Sequence, residues 1–454
     1  MKKTTLSLCM IVKDEEKNLS TCLDSVKDIV DQIIVLDTGS QDSTIQIAKR
    51  FGAEVYQFPW CDDFSVARNE SIKYAKCDWI LWMDADEVLD LKSIPILKEK
   101  IKTSDKNKYY SVRISSRNET QNKITYSEAH RLFPNGLGIH FKNRIHEQIF
   151  YSAQDKGLME ELLNIHIIHE GYNLTDKEYK NKLLRNHPLL EKMVDENKEF
   201  AYAHYTLAHN YSGLKKYRKA IVHFEKAIQL GGIGAKLEID AMNVLSQSFS
   251  YLGEWKSAED YAKKSIEQNP LQSGAYYMLY KCAEEKNDYN SAEKYLVHLL
   301  EIEERFNKEP QKARNDLSIS RQKVKKTLGF NYIKQGKNIK ALNQFMDLDC
   351  NELSKSLVSK LIQLVSRPDE LTLLIKIIEK YLKYEKEIDI GLYDILGQSY
   401  IKLNKTDEAL DLYLMLYNQN RREKLVIRRL GALYAKKGEL EKAENLIIEL
   451  NQIK

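Results

Sequence analysis

Two carboxylates stand directly behind an apolar run in the N-terminal part of the chain. Residues 78–83 read Asp-Trp-Ile-Leu-Trp-Met, and Asp84 and Asp86 follow at positions i and i+2. At the end of a strand such side chains leave on different vectors, so one can ligate a divalent cation while the other holds a ribose hydroxyl or a water. Oxygen ligands suit Mg²⁺ or Mn²⁺, which bridge a diphosphate and neutralise it as it departs. The spacing therefore predicts a metal-assisted diphosphate site.

A second acidic turn follows the apolar run at residues 32–36. Asp37 ends this run, Gly39 supplies a turn, and Asp42 or Ser43 is a natural N-cap for the next helix. Asp37 could accept a hydrogen bond from a nucleobase N–H group, or it could belong to an ordinary strand-to-helix loop. The spacing alone leaves both interpretations open.

Two further residues could belong to the same site. Arg68 lies in the amphipathic segment Phe64–Glu70, where it is either a solvated surface charge or a ligand for a nucleotide base or phosphate. His169 follows an apolar, strand-like run. It could complete the metal site as a third protein ligand, or it could be a structural His with satisfied hydrogen bonds.

These residues are distributed along an alternation of strand-like and helical segments that continues to about residue 170. The apolar runs 6–12, 32–36 and 79–83 are typical of buried strands, and helical spacing separates them. The order predicts an α/β domain with a mostly parallel, Rossmann-like, doubly wound sheet. Such sheets bind ligands at the carboxyl ends of their strands, where both acidic motifs stand.

From about residue 200 the sequence becomes wholly helical and repetitive. Each unit carries a Leu, a small residue, an aromatic residue and then an Ala, although the third unit exchanges the small and aromatic positions. The units begin at Leu207, Leu245, Leu279, Leu328, Leu396 and Leu430. Ala258 and Ala292, like Ala409 and Ala443, are separated by the period of about 34 residues that marks tetratricopeptide repeats. Residues 352–386 would hold a degenerate further unit. The pattern predicts an all-α tetratricopeptide-repeat superhelix, since a plain helical bundle would not keep this phase.

Four segments of the N-terminal part resemble the family 2 glycosyltransferases of the GT-A fold, in the family's order and spacing. They read CMIVKDE from Cys9, DTGSQDST from Asp37, DFSVARNE from Asp63 and WMDADE from Trp82. The resemblance covers roughly residues 5–172. Together with the repeats, it extends to bacterial two-domain glycosyltransferases, a group that includes peptide S-glycosyltransferases acting on Cys of bacteriocins.

The resemblance implies an inverting transfer from a nucleoside-diphosphate sugar, by family habit a UDP-sugar, with Mg²⁺ or Mn²⁺. It further implies that Asp37 and Arg68 contact the base, Asp84 the ribose or diphosphate, and Asp86 the metal. The backbone from Met10 to Val12 would line the nucleotide pocket.

An inverting transfer also needs a carboxylate that takes the proton of the acceptor. Glu147 is the candidate, because it stands in a His-Glu pair that the resembling enzymes carry at this point. Glu128 and Glu170 are rivals in the same His-rich region. Direct displacement needs no enzyme nucleophile, which agrees with the lack of a nucleophilic triad pattern in the sequence.

Composition excludes other classes of protein. The chain has 454 residues, 30% of them charged, and a net charge of only +4, which disfavours nucleic acid as a partner. Six scattered Cys without a CxxC pair favour reduced thiols and a cytoplasmic protein. No apolar run is long enough for a transmembrane helix, and the N-terminal run predicts a buried strand instead of a signal peptide.

The sequence therefore predicts a catalytic domain at residues 1–172, a helical connector at 173–200 and a repeat domain at 201–454. The repeats would recruit the acceptor, a peptide or protein side chain or a saccharide, or they would mediate homodimerisation. One alternative is a repeat scaffold with an inactive N-terminal domain, but the set Asp37, Arg68, Asp84 and Asp86 is intact. A nucleotidyltransferase is disfavoured because no Gly-rich phosphate loop occurs near the N-terminus.

Overall fold

The computed structural model describes residues 4–103, 105–118, 123–169, 175–308, 319–365, 367–385, 388–419 and 423–452. The chain divides into two compact units, Met1–Gly234 and Ala235–Lys454. The first unit includes the predicted connector and the first predicted repeat. Domain limits at residues 172 and 200 stay a prediction.

The first half of the first unit follows the predicted alternation. Its elements are β1 (Leu6–Val12), α1 (Leu19–Val26), β2 (Gln32–Asp37), α2 (Thr44–Arg50), β3 (Glu54–Gln57), α3 (Phe64–Lys73) and β4 (Trp79–Trp82). The four strands pair in parallel in the order β3-β2-β1-β4. The predicted Rossmann-like arrangement is confirmed for this half.

The second half extends the sheet with antiparallel pairings that the sequence did not predict. Its elements are β5 (Glu87–Leu89), α4 (Ile94–Thr103), β6 (Lys108–Asn118), β7 (Lys123–Pro134), α5 (Phe150–Asp155) and β8 (Met159–His169). The complete order is β3-β2-β1-β4-β7-β6-β8-β5, with β4–β7, β6–β7 and β5–β8 antiparallel and β6–β8 parallel. Too few residues separate β6 from β7 for a helical crossover, so these strands pair antiparallel. The sheet of this α/β domain is therefore mixed.

Hydrophobic side chains cover both faces of this sheet. Leu8 and Met10 of β1 belong to one core with residues of α1, α2 and α4. Cys9, between them, belongs to a second core with Trp82 and Phe133. Successive strand residues point to opposite faces, so the sheet lies between two apolar layers.

Three helices complete the first unit: α6 (Asp176–Glu196), α7 (Ala201–Gly213) and α8 (Tyr217–Leu230). A capping box starts α6, in which Thr175 and Glu178 satisfy each other's backbone N–H groups. α6 packs against α7, and α7 pairs with α8 as the first repeat.

The second unit is all-α. Its helices are α9 (Ala235–Tyr251), α10 (Trp255–Gln268), α11 (Ser273–Glu285), α12 (Tyr289–Lys308), α13 (Arg321–Lys334), α14 (Asn338–Met346), α15 (Lys355–Leu364), α16 (Pro368–Tyr384), α17 (Ile390–Lys402), α18 (Thr406–Asn418), α19 (Lys424–Lys436) and α20 (Leu440–Gln452). They form the predicted array of helix pairs, and α15 with α16 occupies the predicted degenerate unit.

Small residues allow the close packing within a repeat. A Cβ atom placed on Gly397 would lie 2.5 Å from the ring of Tyr413, and one on Gly329 would lie 2.6 Å from that of Phe345. Both rings are fully buried. In these two repeats an aromatic ring from the second helix of the pair thus requires Gly at the small position.

Two smaller findings concern the sequence as a whole. No helix in the described ranges is both long and apolar enough to cross a bilayer. All six cysteines lie within those ranges as free thiols.

Candidate active site

The carboxyl ends of β1, β2 and β4 meet at one edge of the sheet. β1 stays paired with β2 as far as Val12 and Asp37, whereas its pairing with β4 stops at Cys9 and Trp82. The strand order reverses between β1 and β4, which is the switch point where open α/β sheets bind ligands. Both acidic motifs therefore stand at the predicted edge.

The predicted nucleotide-binding residues of β1 and β2 shape the turn after β2. Asp37 is buried, and its carboxylate accepts two backbone N–H groups of this turn, each at 3.2 Å. The carbonyl of Val12 accepts the N–H of Thr38 at 2.9 Å. Met10 has its side chain in the core, so only its backbone is available to a pocket. Contact of Asp37 with a base stays a prediction.

A buried carboxylate, Glu87, holds the turn after β4. Its Oε2 accepts the N–H of Asp84 at 3.0 Å, and its Oε1 accepts a hydrogen bond from Nη2 of Arg131 at 2.6 Å. Burial raises the pKa of Glu87 to about 7, although the positive charge of Arg131 acts to lower it. Glu87 thus fixes the backbone from which Asp84 and Asp86 project.

Two guanidinium groups pack on the ring of Trp82. The Cζ atoms of Arg68 and Arg131 lie 4.1 Å and 3.5 Å from its centroid. Nη2 of Arg68 donates a hydrogen bond of 2.6 Å to Oδ1 of Asp84, and Nη2 of Arg131 lies 3.8 Å from Oδ2. Burial opposes ionisation of Asp84, but these two charges outweigh it and lower its pKa to about 2. Asp84 is therefore a carboxylate.

The same guanidinium reaches the predicted general base. Nε of Arg68 donates a hydrogen bond of 2.6 Å to Oε1 of Glu147, whose side chain is only 10% exposed. Arg68 is itself buried, which excludes a solvated surface charge. Nε and Nη2 of Arg68 thus each donate to a carboxylate. The contact with a base that the resemblance implied for Arg68 stays a prediction.

Asp86 and His169, the two predicted metal ligands, are in contact. Oδ2 of Asp86 lies 3.2 Å from Nε2 of His169. Burial lowers the pKa of His169, but the hydrogen bond and charge of Asp86 outweigh this effect and raise it. A carboxylate oxygen and an imidazole nitrogen are both ligand atoms for divalent metals, so this pair could contribute to a site for Mg²⁺ or Mn²⁺.

The surroundings of Asp86 also favour a cation. Burial and then the charges of Asp86 and Asp84 raise the pKa of Glu15, so negative charge is concentrated around these carboxylates. In the part of the chain that the structure describes, no three His, Cys, Asp or Glu side chains are arranged to hold a metal by themselves. Other ligands would have to come from the oxygens of a bound diphosphate and from water.

Comparison with known proteins identifies the domain that contains this site. Residues 7–182 match the model of glycosyl transferase family 2, and residues 201–230 match a tetratricopeptide repeat. The N-terminal domain is a family 2 glycosyltransferase domain. Helical repeats follow it along the chain.

Two curated proteins and one solved structure are similar to parts of this chain. A TPR repeat-containing protein of Synechococcus elongatus is 38% identical over 204 residues, which cover 43% of this chain and 50% of that protein. The prophage-derived glycosyltransferase SunS of Bacillus subtilis is 32% identical over 195 residues, 42% of this chain and 45% of SunS. This chain thus spans about half the length of these curated relatives. The solved structure of S. aureus TarS covers 56% of this chain and 54% of its own at 13% identity, with a TM-score of 0.34.

Arg68, Asp84, Glu87, Arg131 and Glu147 form a charged cluster beside Trp82 in the glycosyltransferase domain. Two of these residues, Glu87 and Arg131, had no role assigned from the sequence. Arg131 interrupts an apolar strand segment next to Leu132 and Phe133. A charged residue among buried strand residues needs a partner of opposite charge. This requirement is the one feature of the sequence that could have indicated a buried ion pair at Arg131. Nothing in the sequence indicates that the partner is Glu87, because their contact depends on the mixed half of the sheet.

The structure describes one of the two rivals of Glu147. Glu128 is an exposed residue of β7 in the glycosyltransferase domain. Glu170 lies outside the described residues. Glu147 is the candidate that shares a partner with the DxD motif.

Proposed function

We propose that this chain is an inverting glycosyltransferase that moves a sugar from a nucleoside-diphosphate sugar, first of all a UDP-sugar, to an acceptor. One observation carries the proposal: Arg68 pairs with Asp84 of the DxD motif and with Glu147 at the same time. This contact connects a donor-side carboxylate with a carboxylate that can act as a base.

The cost of this cluster supports a functional interpretation. Arg68 and Arg131 are each 5% exposed, and Glu87 is 1% exposed. Removing such charges from water costs several kcal/mol per ion, which pairing only partly recovers, so the cluster is a poor device for stability. Carboxylates with perturbed pKa values at a strand switch point are typical of a catalytic site.

The donor would lie along the edge of the sheet between β1 and β4. We assign the base and ribose to the side of Asp37, with the backbone of Met10 to Val12 beneath them. Asp84 would hold the ribose or the diphosphate side. Arg68 keeps Asp84 ionised and oriented; we assign it no contact with the base, in contrast to the family's implication.

Asp86 and His169 are the residues that would hold a divalent metal. When bound, Mg²⁺ or Mn²⁺ would neutralise the leaving diphosphate. His169 must release its Nε2 proton to ligate a metal.

Glu147 would take the proton of the acceptor as its oxygen or sulfur attacks the anomeric carbon, on the side opposite the diphosphate. Attack from that side inverts the configuration at this carbon. Arg68 orients the Glu147 carboxylate through Nε, and the second oxygen, Oε2, is the atom that we assign to proton transfer. General base catalysis of this kind contributes typically 10²–10⁴-fold.

We propose that the acceptor is a peptide or protein side chain, Cys or Ser, held by the repeats. Stacked tetratricopeptide units form concave surfaces that bind extended peptides or helices. A cell-surface saccharide is the competing acceptor class, and a homodimer formed by the repeats is the competing use of the array.

A screen of nucleotide sugars for slow hydrolysis tests the proposal. Purified protein is incubated with each donor, with and without Mn²⁺, and release of the nucleoside diphosphate is measured. We expect metal-dependent hydrolysis of one or a few donors. An inactive scaffold would hydrolyse none of them.

A further inference from the structure

The loop that carries Glu147 is short and strained. It extends from Lys142 to Gln148, whose backbones exchange two hydrogen bonds of 3.0 Å, and we call it the Glu147 loop. Within it Asn143 has φ 80° and His146 has φ 53°. Residues other than Gly pay of order 1 kcal/mol or more in the left-handed region, so the surroundings must hold this loop in place.

One set of contacts joins the Glu147 loop to α3 and to the residues that precede this helix. Besides the hydrogen bond from Arg68 to Glu147, the carbonyl of Arg144 accepts the N–H of Phe64 at 2.8 Å. Nη1 of Arg144 donates to the carbonyl of Asp62 at 2.9 Å. α3 and the residues before it therefore hold the loop from one side.

A second set comes from the helices that lead into the repeats. Nε of Arg144 donates to Glu196, the last residue of α6, at 3.1 Å. Nε2 of Gln148 donates to the phenolic oxygen of Tyr202, in the first turn of α7, at 3.0 Å. Gln148 directly follows Glu147, so this bond acts on the neighbour of the proposed base.

We infer that Tyr202, on the first helix of the repeat array, is a positioning residue for Glu147. The inference rests on the proposed function of Glu147. Burial, then Tyr151 and Glu147, raise the pKa of Tyr202, so its hydroxyl remains neutral and available to accept the bond from Gln148. It follows that the first repeat supports the catalytic centre. The residues on which catalysis depends would therefore extend beyond β8.

The test uses the full chain with Tyr202→Phe, Gln148→Ala and the double variant. Tyr179→Phe on α6, a Tyr that is 48% exposed, is the matched control. Four quantities are measured: the kcat and the KM of hydrolysis of the donor found in the screen, the Kd for UDP, and amide hydrogen exchange of residues 142–149.

A positioning role predicts a kcat about tenfold lower for Tyr202→Phe, with KM and the Kd for UDP unchanged, because a small misplacement of a catalytic group is costly. Exchange in the Glu147 loop should become faster. Gln148→Ala should have the same effects, and the double variant should add little, since both changes break one bond. The control should match the wild type.

The inference would be overturned if Tyr202→Phe had the same kcat and the same rate of hydrogen exchange in the Glu147 loop as the wild type. So would a parallel loss of kcat, UDP affinity and melting temperature, which indicates a general role in folding. A wild-type chain that hydrolyses no nucleotide sugar would instead contradict the proposed function. In that case the hydrogen-exchange measurement would still show whether Tyr202 holds the Glu147 loop. An unchanged exchange rate in Tyr202→Phe would reject this structural role too.

Discussion

Nε of Arg68 donates a hydrogen bond of 2.6 Å to Glu147, a residue 79 positions further along the chain. The other side of the same guanidinium contacts Asp84. Arg68 thus joins the strand end that carries the DxD motif to the loop that carries the proposed base, and several consequences can be measured.

Arg68→Ala should lower kcat more than it raises the KM for the donor. Removing the guanidinium leaves Asp84 and Glu147 without their shared counter-ion, and it frees both groups to move. The expectation for a base contact is the reverse, a raised KM with little change in kcat. Steady-state hydrolysis of the donor distinguishes the two roles, and an effect confined to KM would restore the contact with the base.

Arg131→Met should destabilise the first unit strongly, by about 3–5 kcal/mol, because Glu87 would remain buried without its partner. Adding Glu87→Gln should recover much of this loss, since the double variant buries no unpaired charge. Chemical denaturation followed by circular dichroism measures both. Glu87→Gln alone completes the comparison. If its loss and that of Arg131→Met add up in the double variant, the pair is not coupled.

Much of this architecture could be predicted from the sequence. The apolar runs of β1, β2 and β4 predicted parallel strands, and the repeat period predicted paired helices. The mixed half of the sheet could not be predicted, because the pairing of β4 with β7 and of β6 with β8 depends on contacts between distant segments. The cluster around Trp82 depends on that half, since Arg131 comes from β7.

The site residues likewise divide into those that could be predicted from the sequence and contacts that could not. Asp84 and Asp86 follow directly from a strand and its turn. Arg68 was identified, but its partner was not: a helix pattern shows which face is apolar and does not show which distant carboxylate a residue meets.

Asp86→Ala should abolish metal-dependent donor binding, because the diphosphate needs a cation and this carboxylate is its proposed anchor. Calorimetry of UDP binding with and without Mn²⁺ measures the effect. Asp24→Ala, on the exposed surface of α1, is the control. If Asp86→Ala keeps full activity and still requires Mn²⁺, the metal must bind elsewhere.

Removal of the second unit separates recruitment of the acceptor from chemistry. A cut near residue 200 would remove Tyr202 and the first repeat, so the appropriate fragment ends at Gly234, where the first compact unit ends. We expect this fragment to hydrolyse the donor at a rate close to that of the full chain and to lose transfer to its macromolecular acceptor. Transfer at the full-length rate by a soluble, monomeric fragment would show that the second unit does not recruit the acceptor.

The most direct test of the central claim compares wild type with Glu147→Gln, which keeps an oxygen that can accept the bond from Arg68 but cannot take a proton. Transfer to a hydroxyl acceptor and the Kd for UDP are measured together. We predict that transfer falls by a factor of order 10² or more while the Kd stays the same. With a thiol acceptor the fall should be smaller, since a thiol ionises near neutral pH. Transfer to a hydroxyl acceptor at the wild-type rate would contradict the account and move the base to Glu128 or Glu170.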